Sequence, residues 1–170
     1  LVDEAQRLAA ADGLDCTFIT GNALQRTTSA TVVVSSGVLH HFRGRALTEL
    51  FAHHDPATVR AFIHHDITPS SPMLRFAGAW TFHRARMRRP MSRHDVVVSA
   101  LRAHSDATLA DAAREGAPWA EVGIFEPVGS RSPLVNVLRP VIGLHPEMLE
   151  PFLARLGPRR SLFVPGEQIR

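Results

Sequence analysis

The run Thr31-Val32-Val33-Val34-Ser35-Ser36-Gly37-Val38-Leu39-His40-His41-Phe42 constrains this chain more than any other segment. An apolar, β-branched stretch stops abruptly at small residues and then becomes Leu-His-His-Phe. A short continuous apolar run bounded by turn residues suits a strand buried on both faces, as in a parallel sheet. Ser35, Ser36 and Gly37 let a backbone or a ligand approach closely at the strand's carboxyl end. Open α/β sheets bind their ligands there.

At 170 residues the chain holds one domain with a proper core and is too short for two ordinary ones. Hydrophobic residues make up 45%, which argues against a disordered chain. No basic, apolar, small-residue signal pattern opens it, and no apolar run approaches the roughly 20 residues of a membrane span. A cytoplasmic protein with no membrane partner is expected. The single cysteine, Cys16, excludes an internal disulfide and a cysteine-rich zinc site. It has no basic partner nearby in sequence and reads as core. All 19 basic side chains are arginine, set among many alanines, which fits codon bias in a high-GC genome better than selection for phosphate contacts. The net charge is only +3, and no nucleic-acid partner is expected. The cluster Arg84-Ala85-Arg86-Met87-Arg88-Arg89 reads as a solvated helix face, with phosphate or acidic-substrate binding as the alternative.

Along the chain, Val2, Ala5, Leu8 and Ala9 recur at helical spacing, with Gly13 at the stop position. Asp15 to Thr20 reads as a short strand closed by Gly21-Asn22, and Val32 to Val34 as the next. Ala46, Leu47, Leu50 and Phe51 mark an amphipathic helix ending near Asp55-Pro56. Val59 to Ile67 is another apolar strand, stopped by Thr68-Pro69. This order signals α/β architecture with a parallel sheet, in which Val32 to Val34 and Phe62 to Ile67 are adjacent and joined by a crossover helix. From Ser70 to Pro90 the pattern is helical, with Phe76, Trp80, His83 and Met87 on one face. Ser92 and Asp95 resemble a capping box before Val96 to His104. Ser105 can cap a helix carrying Leu109, Ala112 and Ala113, stopped by Gly116. Trp119 to Phe125 and Leu134 to Leu138 are strand candidates, Pro146 to Leu156 a helix, and Ser161 to Val164 a terminal strand.

From Leu1 to about Phe125 these segments resemble, in order and spacing, the later part of a class I S-adenosylmethionine-dependent methyltransferase domain of the small-molecule type. Leu1 to Leu14 is similar to the helix after that family's second strand. Thr17 to Ala23 is similar to its third strand and the turn that contacts adenine. Thr31 to Phe42 matches its fourth strand and Arg60 to Ile67 its fifth, while Met73 to His104 resembles the variable helical region that shapes the substrate pocket. The resemblance implies a Rossmann-like fold with a mostly parallel sheet and flanking helices. It divides the chain into a single partial domain over 1–170, a substrate-pocket region over 70–104 and a C-terminal extension over 126–170.

Two departures stand out. Asn22 occupies the adenine turn where the family usually has aspartate; its amide oxygen can still accept from an amino group. The family's glycine-rich loop and its ribose-binding acidic residue have no counterpart, so the N-terminal strands are expected to be missing and the chain to be a fragment. The strand of Val32 to Val34 then presents an apolar edge, through which the chain is expected to oligomerise.

The resemblance implies S-adenosyl-L-methionine as cofactor, held in a full-length parent by Asn22, Ala23, Ser36, Gly37 and Val38, with Gly37→Val there expected to abolish binding while leaving the fold mostly intact. His40 and His41 follow the small residues that face the donor and are the candidate catalytic bases, against a capping or packing role. Phe76, Trp80 and His83 are candidate contacts for a small-molecule substrate, although an aromatic stripe at helical spacing is more often plain core. Methyl transfer is an in-line displacement, in which a histidine base helps when the acceptor must lose a proton. Two other readings stay open: a non-catalytic remnant or interaction module of the same fold, and a metal-dependent hydrolase built on His40-His41, His53-His54 and His64-His65. His53-His54 is expected at an exposed helix end. His64-His65-Asp66, at a strand's carboxyl end, is read either as lining a pocket or as structural hydrogen bonding. No metal ligand set is assigned.

Overall fold

Two runs rich in β-branched and aromatic residues, Val32–Ser36 (β1) and Ala61–Ile67 (β2), lie side by side and parallel in the computed structural model, with Val32 opposite Ala61 and Ser36 opposite His65. The structure describes residues 2–22, 24, 30–67, 94–95, 98–99, 101–125 and 138–169. A helix, α2 (Arg45–Ala52), joins the two strands and buries Leu47, Leu50 and Phe51. This parallel pair and its connecting helix follow the order of apolar runs in the sequence. Another helix, α1 (Val2–Ala11), precedes them.

Beyond that pair the expectation of a mostly parallel sheet fails. The strand order is β1-β2-β4-β3-β5, and each of the remaining contacts is antiparallel: β4 (Leu138–Leu144) on β2, β3 (Glu121–Phe125) on β4, and β5 (Phe163–Pro165) on β3. The sequence between β3 and β4 is rich in Pro, Gly and Ser, the composition of a turn and not of the crossover helix that a parallel return needs. Of the strand expected at Leu134 to Leu138, Leu134 to Val137 lie outside the described residues; β4 runs on from Leu138 through Pro140 and Gly143, which read as breakers in the sequence. Pro140 lies beyond Val141, the last β4 residue paired with β3. Gly143 makes room: a Cβ there would run into the Phe62 ring on the neighbouring strand. Residues 138–169, set apart in the sequence as an extension, thus supply two strands of the same sheet.

The sheet is covered on both faces. On one, Leu39, Leu47, Leu50 and Phe51 pack with Phe62, Val122, Ile124 and Val141 and with Leu109 of α3 (Asp106–Gly116). The two helices there approach closely because Gly116 faces Thr48 and Phe51, where any side chain would collide. On the other face, α4 (Pro146–Leu156) sets Leu153 against Ile142, Leu144 and Phe163. The boundaries of both helices match their sequence signals. Ser105 accepts from the Thr108 amide at 3.1 Å, and Pro146 opens α4, where its missing N–H is harmless.

Two expectations at the N-terminal side are corrected. Asp15 to Thr20 forms no strand; residues 14–22 are irregular and exposed, Ile19 by 62%. Among the described residues no strand lies beside them, and Gln6 of α1 substitutes for a ladder partner. Its amide donates to the Cys16 carbonyl at 3.1 Å and accepts from the Phe18 N–H at 3.2 Å. Cys16 is exposed and not core. Within the region 70–104, His94–Asp95, Val98–Ser99 and Leu101 are helical; Phe76, Trp80, His83, the arginine cluster and the Ser92 cap lie outside the described residues. Among the described residues no helix is long and apolar enough to cross a membrane.

Gly143→Ala should destabilise the fold by about 1–3 kcal/mol through overpacking against Phe62. Phe62→Leu in the same chain should recover part of that loss in urea unfolding. Additive losses in the double variant would show that the two residues do not share this space.

Candidate active site

Strand β2 alternates, and its inward face carries Phe62, His64 and Asp66, all buried. The last two are polar groups at the carboxyl end of β2, so each must find partners or destabilise the fold. Asp66 finds its partners on the connection that leaves β1. There Gly37 turns the chain with φ +66°, a conformation that L side chains rarely adopt, and its N–H donates to the His65 carbonyl at 2.8 Å. A single 3-10 turn, Leu39–His41, follows.

Asp66 grips that turn. One carboxylate oxygen accepts from the His40 backbone N–H at 2.7 Å; the other accepts from His40 Nδ1 at 2.7 Å and from the Ile67 N–H at 2.6 Å. A carboxylate only accepts, so Nδ1 carries the hydrogen, and in the neutral form of the ring Nε2 is the bare nitrogen. That Nε2 is buried and has no hydrogen-bond partner among the described residues. An unsatisfied buried polar group costs about 1–3 kcal/mol. The carboxylate thus orients the ring, with one nitrogen held and the other buried and unpaired among the described residues.

A second polar chain runs beneath it. His54 Nδ1 lies 2.8 Å from the Phe51 carbonyl, His54 Nε2 lies 3.1 Å from His64 Nε2, and His64 Nδ1 lies 2.7 Å from Ser35 Oγ. The carbonyl can only accept, so His54 Nδ1 donates to it; one hydrogen lies between the two Nε2 atoms, and Ser35 Oγ, which can donate or accept, completes the chain at His64 Nδ1. Burial, followed by the nearby His54 and His65, pushes the His64 imidazole down to about 3.

His41 is exposed, with its ring 4.2 Å from that of His40, and Asp66 holds only the latter. Ser36 is exposed and Val38 half-buried, so the structure brings Ser36, Gly37, Val38, His40 and His41 onto one connection. Gly37→Val is a poor probe of ligand approach, because a β-branched residue would strain the turn itself. Asn22 is exposed, and its side-chain oxygen accepts from the Leu24 N–H at 3.0 Å. Leu24 packs against the same core cluster as Leu39. Ala23 lies outside the described residues.

The pair His53-His54 splits, contrary to the exposed helix end expected: His53 is exposed and His54 is buried, capping the last turn of α2. His64 and His65 point to opposite faces of β2, and the buried His64 and Asp66 are both hydrogen-bonded. Among the described residues no group of three or more His, Cys, Asp or Glu is arranged to hold a metal. Sequence reasoning missed Ser35 as a histidine partner and Asp66 as the orienting group. The every-second-residue spacing of Phe62, His64 and Asp66 was the available signal.

No protein-family model and no curated protein matches the chain. Among solved structures, an O-methyltransferase family protein from Burkholderia thailandensis shares its fold, with a TM-score of 0.50 and 20% identity. The match covers 84% of this chain and 40% of that one, so this chain spans well under half of that protein's length.

A histidine favoured as neutral by folding makes stability fall with acid. Below its unfolded value of 6.5 the unfolded chain takes a proton that folded His64 refuses down to about 3. Stability should therefore drop as pH falls through that window, by up to about 1.4 kcal/mol per pH unit from this group. His64→Asn, which can still pair with Ser35, should flatten the dependence in urea titrations between pH 6.5 and 4.5. An unchanged slope would contradict the assignment.

Proposed function

We propose that this chain carries part of the catalytic apparatus of an S-adenosylmethionine-dependent methyltransferase acting on a small molecule, with His40 as general base. The observation that carries this reading is the Asp66-held imidazole whose bare Nε2 lies at the carboxyl end of a parallel strand pair. The fold shared with an O-methyltransferase family protein supports it. The connection after β1 fits a ligand: at Gly37 an added Cβ would meet nothing within 4 Å, so the backbone can be approached closely. Ser36, Gly37 and Val38 are the residues to hold the methionine portion, and Asn22 and Ala23 the adenine. Phe76, Trp80 and His83 are proposed to line the acceptor pocket.

When bound, the sulfonium donor supplies an electrophilic methyl group. The protein's own part is to align the acceptor and to manage its proton. Nε2 of His40 would take the proton that the acceptor's X–H loses when the methyl group passes from the sulfonium to the acceptor and the donor leaves as a neutral thioether. The imidazolium that results shares its Nδ1–H with Asp66, whose negative charge stabilises it in a buried setting. The proton leaves to solvent after the product does. His41, exposed beside the same ring, is the secondary candidate.

A second reading has an observation of its own. Val32 and Val34 of β1, at one end of the strand order, are 51% and 63% exposed, as suits an interaction module that pairs through this edge.

Transfer of a tritiated methyl group from S-adenosylmethionine to a panel of small phenols, carboxylic acids and amines tests the first reading. His40→Ala should lower transfer at least about hundredfold, with donor affinity by calorimetry unchanged. Undiminished transfer in that variant would remove His40 from the reaction. A β1-paired dimer in sedimentation, with no donor binding, would favour the interaction module.

A further inference from the structure

His104 is buried, 6% exposed, and sits immediately before α3. Its Nε2 lies 2.9 Å from the Phe42 carbonyl and 3.2 Å from the Leu39 carbonyl, contacts that span 62 and 65 positions of sequence. Both partners are carbonyl oxygens, so Nε2 carries a hydrogen in either protonation state of the ring and donates a bifurcated bond. Those two carbonyls bracket His40 and His41. The turn between them is a single 3-10 turn closed by two local bonds, His41 N–H to Val38 at 3.1 Å and Phe42 N–H to Leu39 at 3.0 Å. Such turns are weak on their own. Asp66 holds His40 by its amide and its ring, and His104 holds the carbonyls on either side.

We propose that His104 is a positioning residue that sets the orientation of His40 by clamping the Leu39 and Phe42 carbonyls. The inference rests on the reading of His40 as the base. His104 is itself placed by α3: Ser105 caps that helix, Leu109 packs in the same cluster as Leu39, and Gly116 seats its far end against α2. The base is thus fixed between β2 in front and the start of α3 behind. Without His104 the Phe42 carbonyl loses that donor, the Leu39 carbonyl keeps only the Phe42 N–H, and the short turn loses one of its anchors. The ring then moves off the line that Asp66 defines, and displacements of about 1 Å at a reacting group lower rates by about 10²-fold.

The test uses two readouts, ring NMR and methyl transfer. Long-range proton–nitrogen spectra of the imidazoles report the His40 tautomer without any substrate. In the native protein His40 should be a single Nδ1–H form. His104→Ala should mix the tautomers and lower transfer tenfold to hundredfold at a temperature where it is fully folded, with donor affinity kept. His104→Gln, whose amide nitrogen reaches the position of Nε2, should restore both. If His104→Ala does not fold, His104→Asn serves, since its amide falls short of the carbonyls. A native His40 ring and native rate in either short variant overturns the clamp. A disturbed ring in a protein that transfers no methyl group in its native form upholds the clamp and overturns the methyltransferase reading.

Discussion

The Asp66 carboxylate is the constraint on which the rest of this structure turns. A buried carboxylate must be met by hydrogen-bond donors, and Asp66 takes three from two elements: both His40 donors and the Ile67 amide. Satisfying Asp66 forces the chain leaving β1 to fold back over the end of β2. That geometry explains the left-handed glycine at position 37 and the 3-10 turn that follows. It also leaves one histidine nitrogen bare in a place where apolar packing would have been cheaper.

His64 shows the same economy one pleat earlier. It pairs with Ser35 on the opposed strand and with His54 at the end of α2, so the polar row on β2 ties strand, helix and turn together. Directional bonds of this kind lock the β1–β2 register, since a one-residue slip would place His64 and Asp66 on the other face. Fold and candidate chemistry therefore depend on the same residues. A variant that disturbs the site should be judged against its effect on the register.

Local signals were legible where one residue decided the outcome. Ser105 and Pro146 announce the starts of α3 and α4, and the apolar runs announce β1 and β2. Elements that depend on distant partners were not. Asp15 to Thr20 has strand composition but lacks a neighbour, and β4 hides behind Pro140 and Gly143, whose tolerance comes from the strands beside them. For the candidate site, the small residues before His40 pointed to the connection on which Asp66 holds His40. They could not separate His40 from His41, because that choice is made by Asp66, 26 residues away. His104 carries no local mark at all; its partners are backbone atoms, which no sequence pattern reveals.

The account stands most directly on Asp66→Asn, assayed for methyl transfer and donor affinity together. Two donors on His40 need two acceptors, and an amide offers one acceptor and one donor. Asparagine must leave the His40 amide unpaired or donate to Nδ1, which moves the ring hydrogen to Nε2 and removes the base. The predicted result is a folded protein that binds the donor as before and transfers methyl groups at least about hundredfold more slowly. Transfer at the native rate by Asp66→Asn would show that an oriented, bare His40 Nε2 is not what the chemistry uses.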